Sequence, residues 1–174
     1  MKQDERSTNI RMPVADVVRI AGDANVREFI ELKAAVMNDK HITVHLWRKW
    51  MVASIAQCGH HEFIKRGLSL LLARGEMMEP ILRPKGMRKR KDGQCFLNAL
   101  RTRGKYLDLS YVEGYAITGG ALIHHAWCAT PEHKAIDPTW RELGVSYFGV
   151  RFTPQEIAER LQMTRAFSMF EMLL

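Results

Sequence analysis

Apolar positions along this chain recur in two rhythms. In the first 82 residues the period is helical. Val14, Val17, Val18 and Ile20 follow Pro13, which suits a first helical turn, and predict a helix over 13–21. Val26, Phe29, Ile30, Leu32 and Val36 continue the pattern from Ala24 to Met37, until Asp39-Lys40-His41 breaks it. Thr43 is placed to cap a run through Trp47, Trp50, Met51 and Ile55 that ends near Gly59. Phe63, Ile64, Leu68 and Leu71 put an apolar side on a further helix from His60 to Leu72. Residues 1–11 are polar and read as a tail. After a basic stretch the rhythm changes. Phe96 to Arg101 is helix-like, while Leu122–Ala129, Lys134–Asp137 and Ser146–Phe152 read as strands, with Gly119-Gly120 in a turn between strands. Thr153, Pro154 and Glu156 then form a helix start for Pro154–Leu161, and an apolar tail from Phe167 to Leu174 is expected to pack on the core or on a partner. The pattern predicts an α+β fold, with a helical N-terminal part over 1–82 and a mixed core over 83–174.

Candidate chemistry sharpens this picture in the second part. Cys95 opens a helix-like run after the polar, Gly-containing entry Lys91-Asp92-Gly93-Gln94. A cysteine there meets the positive end of the helix dipole and free backbone N–H groups, which favour a thiolate and can hold an oxyanion. His125 lies in one predicted strand and Asp137 ends the next. A three-residue loop at Thr130-Pro131-Glu132 pairs Ala129 with His133, and the same register sets His125 opposite Asp137, within reach of a carboxylate–imidazole contact. Thiol, imidazole and carboxylate then have the roles of nucleophile, base and orienting acid in acyl transfer. Trp127 shares the face of His125 and is expected to shield the site edge, with plain core packing as the alternative, while Trp140 and Tyr147 read as core or groove wall rather than a ligand cage. His124 and Cys128 fall on the opposite face.

Taken together, Cys95, His125-Ala126-Trp127 and Asp137-Pro138-Thr139 resemble the transglutaminase-like branch of the papain-like cysteine hydrolase superfamily. The wider block, with Tyr111-Val112-Glu113-Gly114-Tyr115-Ala116 and Tyr147-Phe148-Gly149-Val150, also resembles uncharacterised phage and prophage proteins. The resemblance covers roughly residues 85–155. It implies a Cys-bearing helix packed on a small antiparallel sheet that carries His and Asp, and a hydrolase or acyltransferase acting on a protein, peptide or small amide without metal or organic cofactor. One departure is that papain-type proteases carry an oxyanion-hole Gln several residues before the Cys. Here that span is Met87 to Lys91, and Gln94 is adjacent to Cys95 instead.

The 174 residues are 47% hydrophobic and 26% charged, which suits a globular protein with an adequate core. Three cysteines without framework spacing, a polar N-terminus and no long apolar run predict a protein of a reducing, cytoplasmic compartment with no membrane segment. A net charge of +7 gathers in Arg83, Lys85, Arg88, Lys89, Arg90 and Lys91. That stretch is either a solvated linker or a patch for nucleic acid or an acidic partner. It supplies the alternative to an enzyme: a catalytically idle binding protein, taking nucleic acid through residues 83–91 or inhibiting a host factor. The N-terminal helices read as a cap rather than a helix-turn-helix, since none starts basic and polar. Cys58, His60 and His61, and likewise His124, Cys128 and His133, lack the spacing of a metal site.

Overall fold

The computed structural model describes residues 31–36, 42–57, 62–164 and 168–170. The tail, the helix expected over 13–21, Cys58, His60 and His61 lie outside the described residues. Residues 31–36 are helical. They are followed by helices α1 (Val44–Gln57) and α2 (Glu62–Arg74), strand β1 (Glu76–Ile81), helix α3 (Cys95–Lys105), strands β2 (Ser110–Thr118), β3 (Ala121–Ala129), β4 (Lys134–Ile136) and β5 (Ser146–Phe152), and helix α4 (Pro154–Thr164). The chain is therefore mixed α+β, but its sheet is not open. The strands close into a barrel in the order β1-β4-β3-β2-β5, with β1 returning to β5.

Local chemistry accounts for most element ends. Thr43 Oγ1 accepts the Leu46 amide at 3.2 Å and starts α1. At α4 the capping box closes reciprocally: the Glu156 amide donates to Thr153 Oγ1 at 3.2 Å, and the Thr153 amide to Glu156 Oε2 at 2.7 Å. Gly119 and Gly120, with φ of 53° and 72°, make the tight turn that joins β2 to β3.

Two apolar clusters divide the molecule by strand face. Met78, Val112, Ala116, Trp127, Ala129, Ala135 and Tyr147 come from all five strands and from no helix, so they fill the barrel interior. The alternate residues Tyr111, Ala126, Cys128, Phe148, Val150 and Phe152 turn outward and join Trp47, Met51, Leu68, Leu71 and Ala99 from the helices. Trp47 stacks on Phe148 at 5.6 Å and donates its Nε1–H to Ser146 Oγ at 3.1 Å, which seats α1 on β5. The N-terminal helices thus cover one side of the barrel.

Glu113 is fully buried on this outer face, yet every lone-pair direction is used. It accepts hydrogen bonds from Tyr111 Oη (2.8 Å), His124 Nε2 (2.9 Å), Ser168 Oγ (2.6 Å), Met169 N (2.5 Å) and Phe170 N (3.1 Å). One carboxylate therefore fastens residues 168–170 to β2 and β3, in keeping with the rule that a buried charge must be fully bonded. Within the apolar tail expected to pack on the core, these three residues do so; the rest of that tail lies outside the described residues.

Two expectations are corrected. No strand was expected before residue 83, yet Glu76–Ile81 is β1, antiparallel to β5 through Glu76–Met78 and parallel to β4 through Glu79–Ile81. The hairpin register also differs: β3 and β4 pair Ala129 with Ala135 and Cys128 with Ile136. The loop still has three residues, but they are Pro131-Glu132-His133, closed by Thr130 N–H to Lys134 O at 3.0 Å. His133 takes the left-handed conformation (φ 61°) that ends a three-residue hairpin loop and so cannot be the strand partner of Ala129.

Candidate functional site

The shifted hairpin does not set His125 directly opposite Asp137. It moves Asp137 just past the end of β4, diagonal to His125 and on the same face, because the displacement is an even number of positions. The contact survives: His125 Nε2 lies 2.8 Å from Asp137 Oδ2, with both side chains 2% exposed.

Asp137 is set by the turn that follows it. Its Oδ1 accepts the amides of Thr139 at 2.7 Å and Trp140 at 3.0 Å, the local bonding that an Asp before a Pro-Thr turn favours. Its Oδ2 accepts, besides His125, the Tyr147 hydroxyl at 3.0 Å. Arg83 turns inward and donates to the carbonyls of Asp137 (2.9 Å) and Trp140 (2.5 Å), tying the turn to the segment after β1. Burial alone would lift the Asp137 carboxyl, but the hydrogen bond and attraction of His125, with the two amides, hold it below its ordinary value. Burial likewise opposes a charge on His125. The hydrogen bond that His125 donates to Asp137, and then the neighbouring Cys95 thiol, outweigh it and raise the imidazole above its ordinary value. Burial, followed by the charge of Asp137, keeps the Tyr147 phenol well above the usual range, so it remains a donor.

Cys95 approaches from the neighbouring helix. It is the first residue of α3, half-buried and free. The helix lies over β3, with Phe96 5.1 Å from the His124 ring and the carbonyl of Ala99 accepting from Cys128 Sγ at 3.4 Å. The Cys95 thiol neighbours the His125 ring closely enough to favour the charged imidazole. With Nε2 held by Asp137, Nδ1 is the ring nitrogen left to face the thiol. Gln94, the N-cap residue, makes no side-chain cap, so the first-turn N–H groups beside Cys95 are not consumed by it. Asn98, buried one turn along, donates to Lys91 O at 2.7 Å and Thr139 Oγ1 at 3.1 Å, which ties the cysteine helix to the turn that holds Asp137.

The structure thus gathers Cys95, His125 and Asp137. Gln94 is exposed beside them. For Trp127 core packing holds in place of the site edge: in the barrel interior it is fully buried, donates to Met78 Sδ at 3.3 Å, and lies edge-on to Tyr147 at 5.0 Å. The ring that covers His125 is Trp140, stacked at 3.8 Å and only partly buried. Trp140 and Tyr147 read in the sequence as core or groove wall; their direct contacts with His125 and Asp137 were not anticipated. Trp140 had one available signal, its position just after the Asp-Pro turn. The face of Tyr147 could be read from strand alternation, but the reach of its hydroxyl could not.

His124, Cys128 and His133 each have a different setting. His124 is held by Glu113 and stacks on Phe170 at 5.2 Å. His133 pairs with Glu76 at 2.7 Å on the surface. Cys128 is sealed in the core, where burial pushes its thiol up to about 12. Of the basic stretch, Arg83 is turned inward, Lys89 pairs with Asp92 at 2.6 Å, and Arg90 Nε donates to Thr102 Oγ1 at 3.0 Å. Lys85, Arg88 and Lys91 remain exposed. Among the described residues no helix is long and apolar enough to cross a membrane.

Comparison of the chain with protein-family models, with curated proteins and with solved structures finds no match.

Proposed function

We propose that this protein is a cysteine-dependent acyl-transfer enzyme, an amidase, peptidase, deamidase or acyltransferase, built on a transglutaminase-like arrangement. The observation that carries the reading is one buried imidazole hydrogen-bonded to a carboxylate, with a helix-N-terminal thiol close beside it. Neither contact is needed to fill the core, and keeping both polar groups there costs desolvation.

In this reading the Cys95 sulfur attacks the carbonyl carbon of an amide or ester, and His125 takes the thiol proton. Asp137 holds Nε2 and stabilises the imidazolium, with Tyr147 keeping the carboxylate fixed. Carbonyl π electrons move onto oxygen, which the N–H groups at the start of α3 face; one such donor supplies about 3 kcal/mol. The C–N or C–O bond then breaks, His125 delivers its proton to the departing amine or alcohol, and a thioester remains on Cys95. Water or an amine, deprotonated by His125, attacks the thioester and regenerates the thiol. Trp140 forms a partly exposed wall against the imidazole, where a substrate could lie.

Labelling with an acyl-directed electrophile, read by mass spectrometry, tests this. Cys95 should be modified ahead of Cys58 and Cys128 near neutral pH. His125→Ala should slow labelling at least tenfold and remove the part of the pH profile that follows imidazole titration. Equal labelling of wild type and His125→Ala at every pH would end the acyl-transfer reading.

A further inference from the structure

The basic stretch does not stand alone in the fold. It lies across α3, and between them opens a cleft of about 650 Å³. Four of its walls' cations are exposed and make no ion pair among the described residues: Arg88 and Lys91 on the loop, Arg101 and Lys105 on the helix. Arg101 and Lys105 are one helical turn apart, about 6 Å along the axis, and so share a face. Sequence reading placed only the loop cations in this patch; the helix pair was hidden because it lies beyond Cys95.

The loop is held against the helix rather than left loose. The Arg90 amide donates to Pro138 O at 2.8 Å, Arg90 Nε to Thr102 Oγ1 at 3.0 Å, and Asn98 Nδ2 to Lys91 O at 2.7 Å. Met87 N–H closes a turn on Pro84 O at 3.0 Å, with Gly86 at φ 91°. Like charges fixed close together repel one another. Holding them so is unfavourable unless an anion of matching charge density sits between them. Asp92, the acid nearest in sequence, is already spent on Lys89.

We propose that this cleft binds consecutive phosphates, from a single-stranded nucleic acid or from a free polyphosphate. Phosphates linked in a row form an unbroken anionic edge, which suits cations drawn from one loop and one helical face. Carboxylates of an acidic peptide alternate sides along an extended chain and present no such edge. The guanidinium forks of Arg88 and Arg101 also match phosphate in two-point geometry. The lining is almost free of rings, Tyr106 excepted, so contact is with the backbone and carries little base preference. Binding does not depend on the chemistry proposed for Cys95.

Fluorescence anisotropy with a labelled oligothymidylate of about twelve nucleotides tests the inference on the full chain. Binding is expected at low salt, with log K falling against log salt at a slope of about −3 if four phosphates are neutralised. The exposed pair R101Q/K105Q should fold normally, label at Cys95 at the wild-type rate, and show about half that slope. R88Q/K91Q on the facing loop should do the same. Inorganic triphosphate competing at equal phosphate concentration identifies a short polyphosphate as sufficient; failure to compete identifies the strand. No binding at low salt, an unchanged slope in both double variants, or equal competition by polyglutamate would overturn the proposal. Loss of Cys95 labelling with binding intact would instead count against the acyl-transfer reading alone.

Discussion

The Asp137 carboxylate is met by four donors, the His125 ring, the Tyr147 hydroxyl and the amides of Thr139 and Trp140. These bonds stabilise its charge, and they link the His125–Asp137 pair to pH in a defined way. Asp137 is held below its ordinary value of 3.8, so its contribution is present above that pH and is lost as pH falls through the lowered folded value. His125 is raised above 6.5, so its contribution is complete below that pH and fades as pH rises through the folded value. The pair therefore stabilises the fold most between about pH 4 and 6.5. Urea unfolding of wild type and Asp137→Asn across pH should show their largest difference in that window, shrinking on both sides; a difference that keeps growing toward alkaline pH would contradict the assignment. At this scale much was legible. Cys95, His125 and Asp137 could be found because each has a local element to itself and strand alternation sorts His125 from His124. The contacts that Tyr147 and Trp140 make with the His125–Asp137 pair could not, because period fixes the face of a side chain but not the distance its far end reaches.

Elements were legible where a local rule governs them. The capping box at Thr153 and Glu156, the Gly119-Gly120 turn and the alternation in β5 all act within a few residues. The two misreadings have non-local or conformational causes. The β3–β4 register turns on one residue, His133, adopting a left-handed backbone that its side chain does not advertise. Strand β1 reads Glu-Met-Met-Glu-Pro-Ile, without β-branched residues until its end and with a proline inside. It is a strand because partners exist on both sides, β5 for its first half and β4 for its second, so Pro80 loses no ladder bond toward β5. Close packing of elements also sets one strict requirement. Gly114 pairs with Gly149 where β2 crosses β5, and a Cβ on Gly114 would lie 2.1 Å from Phe148 O and 2.5 Å from Gly149 Cα. These are backbone atoms that cannot swing aside. Gly114→Ala should cost about 3 kcal/mol or more, seen as a lowered unfolding midpoint, whereas Gly104→Ala in α3 meets nothing within 4 Å and should be neutral or stabilising.

Across the whole molecule, the helices, the barrel and the clamp at Glu113 share one outer core, while the interior cluster belongs to the strands alone. That the sheet closes was not legible, since closure depends on β1 meeting strands far along the chain: Glu79 aligns with Lys134, 55 positions later. This same closure orders events in time. The β2–β3 hairpin joins across a two-glycine turn and forms early, but β1 cannot dock until β4 and β5 exist. Met78→Ala, which removes the β1 contribution to the interior, should therefore speed unfolding several-fold and leave the refolding rate nearly unchanged in stopped-flow measurements. During synthesis β1 leaves the ribosome well before its partners, and its two methionines wait exposed until the last strand arrives. The newborn chain passes through a half-open sheet with two bare edges, and in that interval, rather than in the finished barrel, its risk of aggregation is concentrated.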